Sequence, residues 1–220
     1  MRMRPVSPEN LVRELVEVIL APVPPGRLQA PAVLTRRIAV DGADAACPAE
    51  LADALVEPLR EHGRPALRAR AEDHLRPASL RFERGRTDPD SFYADWLDEE
   101  GLRRELLGPL GPGGSGRIRT ARWDATRDRA VRSGFIEVPD RAVLILSGPL
   151  LLGRGLPLDL TVHLDLSAPA LARRTPAESA WTLPAYERYA VEVSPATVAD
   201  VVVRVDDPRH PAVLMTDGTP

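Results

Sequence analysis

The sequence contains no lysine, because all 29 basic residues among its 220 are arginine. A site that depends on an ammonium group at the end of a flexible stem is therefore excluded. Arginine is not a simple substitute, since its planar guanidinium group presents a different shape to a ligand.

Cysteine occurs only once, at Cys47, so an internal disulfide and a cysteine-cluster metal site are also excluded. No pair of histidines has metal-ligand spacing backed by a third ligand, and we predict no structural metal. Long apolar runs are missing as well: no segment approaches the ~20 residues that span a bilayer. Acidic residues interrupt the N-terminal stretch where a signal peptide would be apolar. We therefore expect a cytoplasmic protein.

The net charge of −3 and the isoelectric point near 5.9 give no general attraction to nucleic acid or to an anionic membrane, so neither is expected as a partner. Apolar residues make up 44% of the chain, which is enough for a real core in one domain of ordinary size.

Short apolar runs alternate with segments of helical periodicity along most of the chain. The predicted strands are RRIAVD, PALRARA, RIRTARWD, AVLILSG, LDLTVHLDL and ADVVVRVDD. The predicted helices begin at the Ser7 cap and also cover Pro48 to Gly63, Pro89 to Leu107, Ala168 to Arg174, and Leu183 to Val193. This alternation predicts a three-layer α/β domain with a mainly parallel sheet, plus an N-terminal helix.

The composition divides the chain into three parts. Residues 1–35 are predicted to form the N-terminal helix and a Pro-rich connector, residues 36–210 the α/β domain, and residues 211–220 a C-terminal tail. An apolar stripe on the N-terminal helix, formed by Leu11, Leu15 and Ile19, is a candidate surface for a protein partner.

The turn between the first strand of the α/β domain and its helix has the layout of a phosphate-binding loop, G-x-x-x-x-G-K-[ST]. Eight residues occupy that frame: Gly42, Ala43, Asp44, Ala45, Ala46, Cys47, Pro48 and Ala49. Only the first glycine is present. Pro48 at the lysine position removes both the cation and a backbone N–H donor, and Ala49 supplies no hydroxyl for Mg²⁺.

The same loop together with the segments EDHLRP, RFERGRTDPDSFYADWLD, LRRELLGPLGPGGSGRIRT and VLILSGPLLL resembles the uridine kinase-like branch of the P-loop nucleoside and nucleotide kinases. The resemblance covers roughly residues 36–208. Members with an intact loop read approximately D-G-x-D-G-A-G-K-T-T where this chain reads DGADAACPAE. The resemblance implies a P-loop NTPase-like fold with a degenerate Walker A loop.

The resemblance also implies roles for residues outside the loop. Glu72 and Asp73 stand where such kinases carry the base that activates the acceptor hydroxyl. The acceptor side of the cleft would include Arg76, Arg86 and Asp98. Ser147 takes the Walker B position, where an acidic residue is usual, and the lid arginines would be Arg173 and Arg174.

These departures leave three functions open. The first is a degenerate kinase that binds a nucleoside-like small molecule or a partner, and the second is an active ATP-dependent kinase of uridine type that uses ATP and Mg²⁺. The third is a scaffold that contacts another protein through its N-terminal helix.

Several single residues also allow two interpretations. His163 and His74 are either acid–base groups or residues that serve only in packing. Cys47 is either an activated thiolate or a small side chain that fills the space left by a glycine. The arginine run from Arg81 to Arg86 is an anion site or a solvated loop. The glycine-rich run from Gly111 to Gly116 is a second phosphate loop or a turn.

Overall fold

The computed structural model describes residues 2–22 and 35–215. Its strands are β1 (Arg2–Pro5), β2 (Arg36–Gly42), β3 (Ala66–Arg70), β4 (Arg117–Ile118), β5 (Trp123–Asp124), β6 (Arg129–Ala130), β7 (Ile136–Glu137), β8 (Val143–Gly148), β9 (Leu160–Asp165), β10 (Val201–Arg204) and β11 (Ala212–Met215). Its α-helices are α1 (Pro8–Leu20), α2 (Pro48–Ala54), α3 (Val56–Glu61), α4 (Ala78–Arg81), α5 (Pro89–Ala94), α6 (Glu99–Leu102), α7 (Ala168–Arg174), α8 (Leu183–Glu192) and α9 (Pro195–Val198). The predicted α/β class with a mainly parallel sheet is confirmed.

The central sheet has seven strands in the order β1-β11-β10-β9-β2-β8-β3. The five strands from β10 to β3 are parallel, and β11 and β1 continue the sheet in antiparallel pairing. The chain leaves β2 for β3 on one side and later returns to β9 on the other. The strand order therefore reverses at β2, and in open α/β sheets ligands bind at the carboxyl ends of strands at such a point.

Alternate residues of β2 supply two separate halves of the core, because successive side chains of a strand point to opposite faces. Ile38 and Val40 pack with α1, α2 and α3 on one face. Ala39 packs on the other face with β8 and with Leu102 and Leu106. The apolar run of β8 is buried on both faces, as its composition predicted.

Helix α1 begins as predicted, with the Ser7 side chain accepting a hydrogen bond from the backbone N–H of Asn10 at 3.2 Å. The stripe of Leu11, Leu15 and Ile19 is 5%, 2% and 0% exposed, and it packs into the core of the domain. Its prediction as a partner surface is therefore wrong, because the stripe already covers the central sheet.

Both chain segments that were predicted to lie outside the α/β domain contribute to its sheet. Strand β1 pairs with β11 from Arg2 opposite Met215 to Pro5 opposite Ala212. The predicted C-terminal tail thus contains a strand, and the sheet extends beyond the predicted boundaries of residues 36 and 210. Part of the predicted connector, residues 23–34, lies outside the described residues, as do residues 216–220.

Two predicted helices are interrupted. The helix from Pro48 divides into α2 and α3 at Leu55, because Pro58 has no N–H for the carbonyl of Ala54 and its ring crowds that carbonyl. The helix from Pro89 divides into α5 and α6, because the segment between them turns to pair with the chain after β3. There Leu75 and Leu97 form an antiparallel bridge.

The predicted strand RIRTARWD is also two short strands, β4 and β5, which lie outside the central sheet; β4 pairs antiparallel with β7, and β5 pairs antiparallel with β6. Between them the chain bends over the turn at Ala71–His74. The N–H of Arg122 donates to the carbonyl of Asp73 at 2.8 Å, and the carbonyl of Thr120 contacts His74 Nε2 at 3.0 Å. These contacts replace the pairing of a continuous strand.

Candidate functional site

The loop after β2 lies at the carboxyl edge of the parallel sheet, where the strand order reverses. Strand β2 ends at Gly42, a short 3₁₀ turn covers Asp44–Ala46, and α2 begins at Pro48. A side chain at Gly42 would place its Cβ 3.0 Å from Cβ of Leu164, so this glycine allows close packing of the loop on β9. Cys47 adopts the left-handed conformation, with φ 56° and ψ 51°, as a glycine would at this position.

A cleft of about 290 Å³ opens over this loop and over the ends of β3 and β8. Among the residues that the structure describes, three carboxylate side chains line it, those of Asp44, Glu50 and Glu72, together with one arginine, Arg70. Arg70 contacts Glu72 at 3.2 Å and Asp53 at 3.7 Å, so its charge is shared between two carboxylates. The lining therefore carries more negative than positive charge.

Two carboxyl groups near the cleft hold their protons more tightly than usual. Loss of surrounding water and then the charge of Glu72 raise the pKa of Asp44, although much of that residue is exposed. The same two causes raise the pKa of Asp73. Burial is the larger cause for both groups, and the charge of Glu72 is the second; that charge acts against an anionic ligand as well.

The candidate thiolate Cys47 lies between opposite charges. Burial and the nearby Glu50 raise the pKa of its thiol, while Arg174 acts in the other direction with a smaller effect. Because the net shift is upward, the thiol is less ionised than a free cysteine. Packing of the loop is therefore the interpretation that the structure favours.

Ser147, predicted to take the Walker B position, lies at the end of β8 and is 2% exposed. Its Oγ accepts a hydrogen bond at 3.0 Å from Nη2 of Arg68. Arg68 also donates to the carbonyl of Ile145 at 2.7 Å and contacts Asp53 in α2 at 2.7 Å. The guanidinium group of Arg68 thus donates a hydrogen bond to the hydroxyl of Ser147 and links β3 to α2 through Asp53.

The two candidate bases are placed differently. Glu72 lines the loop cleft, and 65% of its side chain is exposed. Asp73, on the same 3₁₀ turn, does not line the cleft. Of the candidate lid arginines at the end of α7, Arg173 is exposed, whereas Arg174 donates to the carbonyl of Val205 at 2.7 Å and lies beside Cys47.

The predicted acceptor-side residues lie away from the loop cleft. Arg76 contacts Asp95 at 3.7 Å, and the exposed Arg86 lies 5.0 Å from the ring centre of Phe82. Asp98 caps α6, accepting from the N–H of Gly101 at 2.9 Å. None of these three predicted side chains lines the cleft over the loop.

The arginine run from Arg81 to Arg86 is only partly a solvated loop. Arg81 is 3% exposed and lies over the rings of Phe82 and Trp96 at 4.8 and 5.2 Å. Its guanidinium also contacts Asp128 at 3.5 Å. Arg81 therefore anchors an aromatic cluster, whose members are Phe82, Phe92, Trp96, Trp181 and Tyr186.

His74 is fully buried at the turn after β3. Its Nε2 donates to the carbonyl of Thr120, and its Nδ1 has no hydrogen-bond partner among the described residues. Burial lowers the pKa of His74 to about 4, so the ring is neutral at physiological pH. It joins the turn to the segment after β4 and does not face the loop cleft.

A buried polar network beside the loop was missed by sequence reasoning. The Asp41 carboxylate, which is 0% exposed, contacts His163 Nδ1 at 2.7 Å, the Tyr189 hydroxyl at 3.1 Å and the N–H of Leu151 at 2.8 Å. Asp41 and His163 are direct neighbours in the register of β2 and β9. Only the strand order reveals that these two residues, distant in sequence, form a pair.

Within residues 2–22 and 35–215, no group of three or more His, Cys, Asp or Glu side chains is arranged to hold a metal ion. None of the helices in these ranges is long and apolar enough to cross a bilayer.

The structure is similar to that of a possible uridine kinase from Bacillus stearothermophilus, with a TM-score of 0.68 and 20% identity over 88% of this chain and 97% of that chain. It is also similar to a provisionally identified fructose transport system kinase from Silicibacter sp. TM1040, with a TM-score of 0.52 and 22% identity over 77% and 80% of the two chains. A third similar structure, of the YGR205w protein, has a TM-score of 0.51 and 11% identity over 94% and 96%. No family model and no curated protein matches the sequence. The predicted resemblance to the uridine kinase-like branch is confirmed at the level of the fold.

Proposed function

We propose that this chain is a uridine kinase-like protein whose loop no longer supports ATP-dependent phosphoryl transfer, and that it binds a small molecule instead. The observation that carries the proposal is the charge of the loop cleft. Asp44, Glu50 and Glu72 face the space above the loop, and Arg70 is shared between carboxylates. A triphosphate would bring further negative charge into this environment.

ATP with Mg²⁺ does not fit the residues that are present. Phosphoryl transfer depends on positioning and on neutralisation of phosphate charge. Pro48 offers neither a cation nor an N–H, and Ala49 offers no hydroxyl to the metal. The hydroxyl of Ser147 is already bonded to Arg68. No step of a reaction is therefore assigned to ATP or Mg²⁺ at this loop.

An active uridine-type kinase is the second candidate function, and one observation favours it. Glu72, a candidate base, lines the same cleft as the loop, and Arg174 lies beside Cys47, which also lines that cleft. In such an enzyme Glu72 or Asp73 would accept the proton of the acceptor hydroxyl, and Arg173 or Arg174 would neutralise phosphate charge.

Titration calorimetry with ATP plus Mg²⁺, and separately with uridine, distinguishes the two functions. We expect no saturable heat from millimolar ATP, and no phosphorylated uridine in a coupled assay. Binding of ATP with turnover would contradict the proposal. Saturable heat from uridine in the absence of ATP would support a ligand-binding role for the nucleoside side.

A variant with a restored loop provides the positive control. Cys47→Gly, Pro48→Lys and Ala49→Thr together return the glycine, the cation and the hydroxyl of a phosphate loop. We expect this triple variant to bind ATP at least ~10-fold more tightly than the parent chain, a gain of ~1.4 kcal/mol. Equal and tight binding of ATP by both chains would show that the missing groups are not the cause.

A further inference from the structure

A second cavity, of about 310 Å³, lies between the end of β9 and helices α7 and α8. Its lining is mainly apolar, with Leu150, Leu166 and Leu171 among its walls and Tyr186 beside them. Among the described lining residues, none belongs to both this cavity and the loop cleft. Its size and apolar lining are those of a small-molecule pocket, in which a few polar groups fix the orientation of the ligand.

His163 is a buried polar residue in the lining of this cavity. Its Nδ1 lies 2.7 Å from Asp41 Oδ2, and Asp41 also accepts from Tyr189 and Leu151. Because a carboxylate only accepts hydrogen bonds, His163 must donate its Nδ1 hydrogen to it. In the neutral form of the ring, the other nitrogen, Nε2, is then an acceptor.

His163 is 6% exposed, and its ring makes its hydrogen bond to the described residues through Nδ1, to Asp41. Since Nδ1 is directed at Asp41, the other ring nitrogen is the one available to a molecule in the cavity that His163 lines. A ligand that donates a hydrogen bond to this nitrogen would use an acceptor at the wall of the cavity that no described side chain uses.

The charged side chains of the lining limit the ligand further. Asp165 and Glu187 are the charged residues among the described lining, and both are acidic. Asp165 is paired with Arg204 at 2.7 Å, whereas Glu187 is exposed on α8. An anionic ligand would be repelled by them, while a neutral one would not.

We infer that this cavity binds a small, neutral and largely apolar molecule, about the size of one benzene ring. The molecule would donate one hydroxyl or N–H hydrogen to Nε2 of His163. The inference does not rest on ATP binding at the phosphate loop, because the described lining of this cavity differs from that of the loop cleft, although Ala43 of the loop forms part of its wall. Binding here is expected whether or not the chain has kinase activity.

Phenol, toluene and benzoate are matched probes for this site, to be titrated into the full chain and followed by calorimetry and by amide chemical shifts. Phenol fits the ring and the donor, toluene lacks the donor, and benzoate is anionic. We expect saturable phenol binding that is ~5-fold tighter than toluene binding, the usual value of one net hydrogen bond. Benzoate should bind more weakly than both. Absence of saturable phenol binding, or benzoate binding as tight as phenol, would overturn the inference.

Two variants test the cavity and the histidine separately. Leu171→Trp fills the cavity and should abolish phenol binding, whereas Val198→Trp, at a residue that is 56% exposed and outside this lining, should not change it. His163→Asn keeps an N–H donor for Asp41 and removes the Nε2 acceptor, so the preference for phenol over toluene should disappear. Unchanged phenol binding in Leu171→Trp would refute the cavity, and an unchanged preference in His163→Asn would refute the role of the histidine. If His163→Asn does not fold, the Leu171→Trp result still decides whether the cavity binds the probe.

Discussion

Replacing His74 by glutamine should reduce the loss of stability of this fold between pH 7.5 and pH 5. The native ring is neutral and buried, with its Nε2 hydrogen donated to the carbonyl of Thr120. Glutamine can donate the same hydrogen bond from its amide but cannot take up a proton near neutral pH. The variant therefore changes the titration of this position and keeps its contact.

The size of the effect follows from the pKa of His74, which burial lowers from 6.5 in the unfolded chain to about 4 in the fold. Between these values the unfolded chain binds a proton that the fold does not, so stability decreases as the pH falls. When the pH is lowered from 7.5 to 5, the last ~1.5 pH units lie below the pKa of His74 in the unfolded chain, and over that interval only the unfolded chain binds the proton. At ~1.4 kcal/mol per unit, the parent chain should lose ~2 kcal/mol through His74.

Urea unfolding at pH 7.5 and pH 5 measures this loss in the parent chain and in His74→Gln. The raised pKa values of Asp44 and Asp73 act in the opposite direction, but they are present in both proteins and cancel in the comparison. His62→Gln is the matched control, because His62 is exposed and its variant should follow the parent. Equal losses of unfolding free energy in His74→Gln and the parent chain would refute the reasoning.

Two further predictions concern the core. Leu15→Ala on α1 should lower the free energy of unfolding by ~3 kcal/mol, because it leaves a cavity in the core. Val18→Ala, on the exposed side of that helix, should lower it by less than ~0.5 kcal/mol. Equal and small losses in urea unfolding would contradict the burial of the apolar stripe. Asp159→Asn should cost ~3 kcal/mol or more, because Arg37, which is buried and bonded to Asp159 at 2.7 and 2.9 Å, would keep its charge without an opposite charge beside it. A loss below ~1 kcal/mol at pH 7.5 would contradict that account of the ion pair.

Local signals predicted the elements that depend on neighbouring residues. Ser7 caps α1 through the residue three positions later, and the apolar run of β8 follows from burial on both faces. The division at Leu55 depends on Pro58 and is also a local effect, which the predicted helix from Pro48 did not include.

Features that depend on distant pairing could not be read from the sequence. Strands β1 and β11 are four residues each, too short for their sequence pattern alone to predict a strand, and their pairing becomes evident only in the structure. The bond between Asp41 and His163 requires that β9 lies next to β2, and the bond between Arg68 and Ser147 requires β3 next to β8. Sequence therefore indicated where the loop lies and which groups it lacks, but not which side chains occupy the contacts around it.

The pairing of β1 with β11 has a consequence for the order in which the chain folds. Arg2 lies opposite Met215, so this ladder joins residues that are almost a whole chain apart. The entropy lost in closing so long a loop delays such contacts relative to those between near neighbours. During synthesis β1 stays unpaired until β11 has been made, so we expect the edge of the sheet formed by these two strands to be completed after the parallel strands.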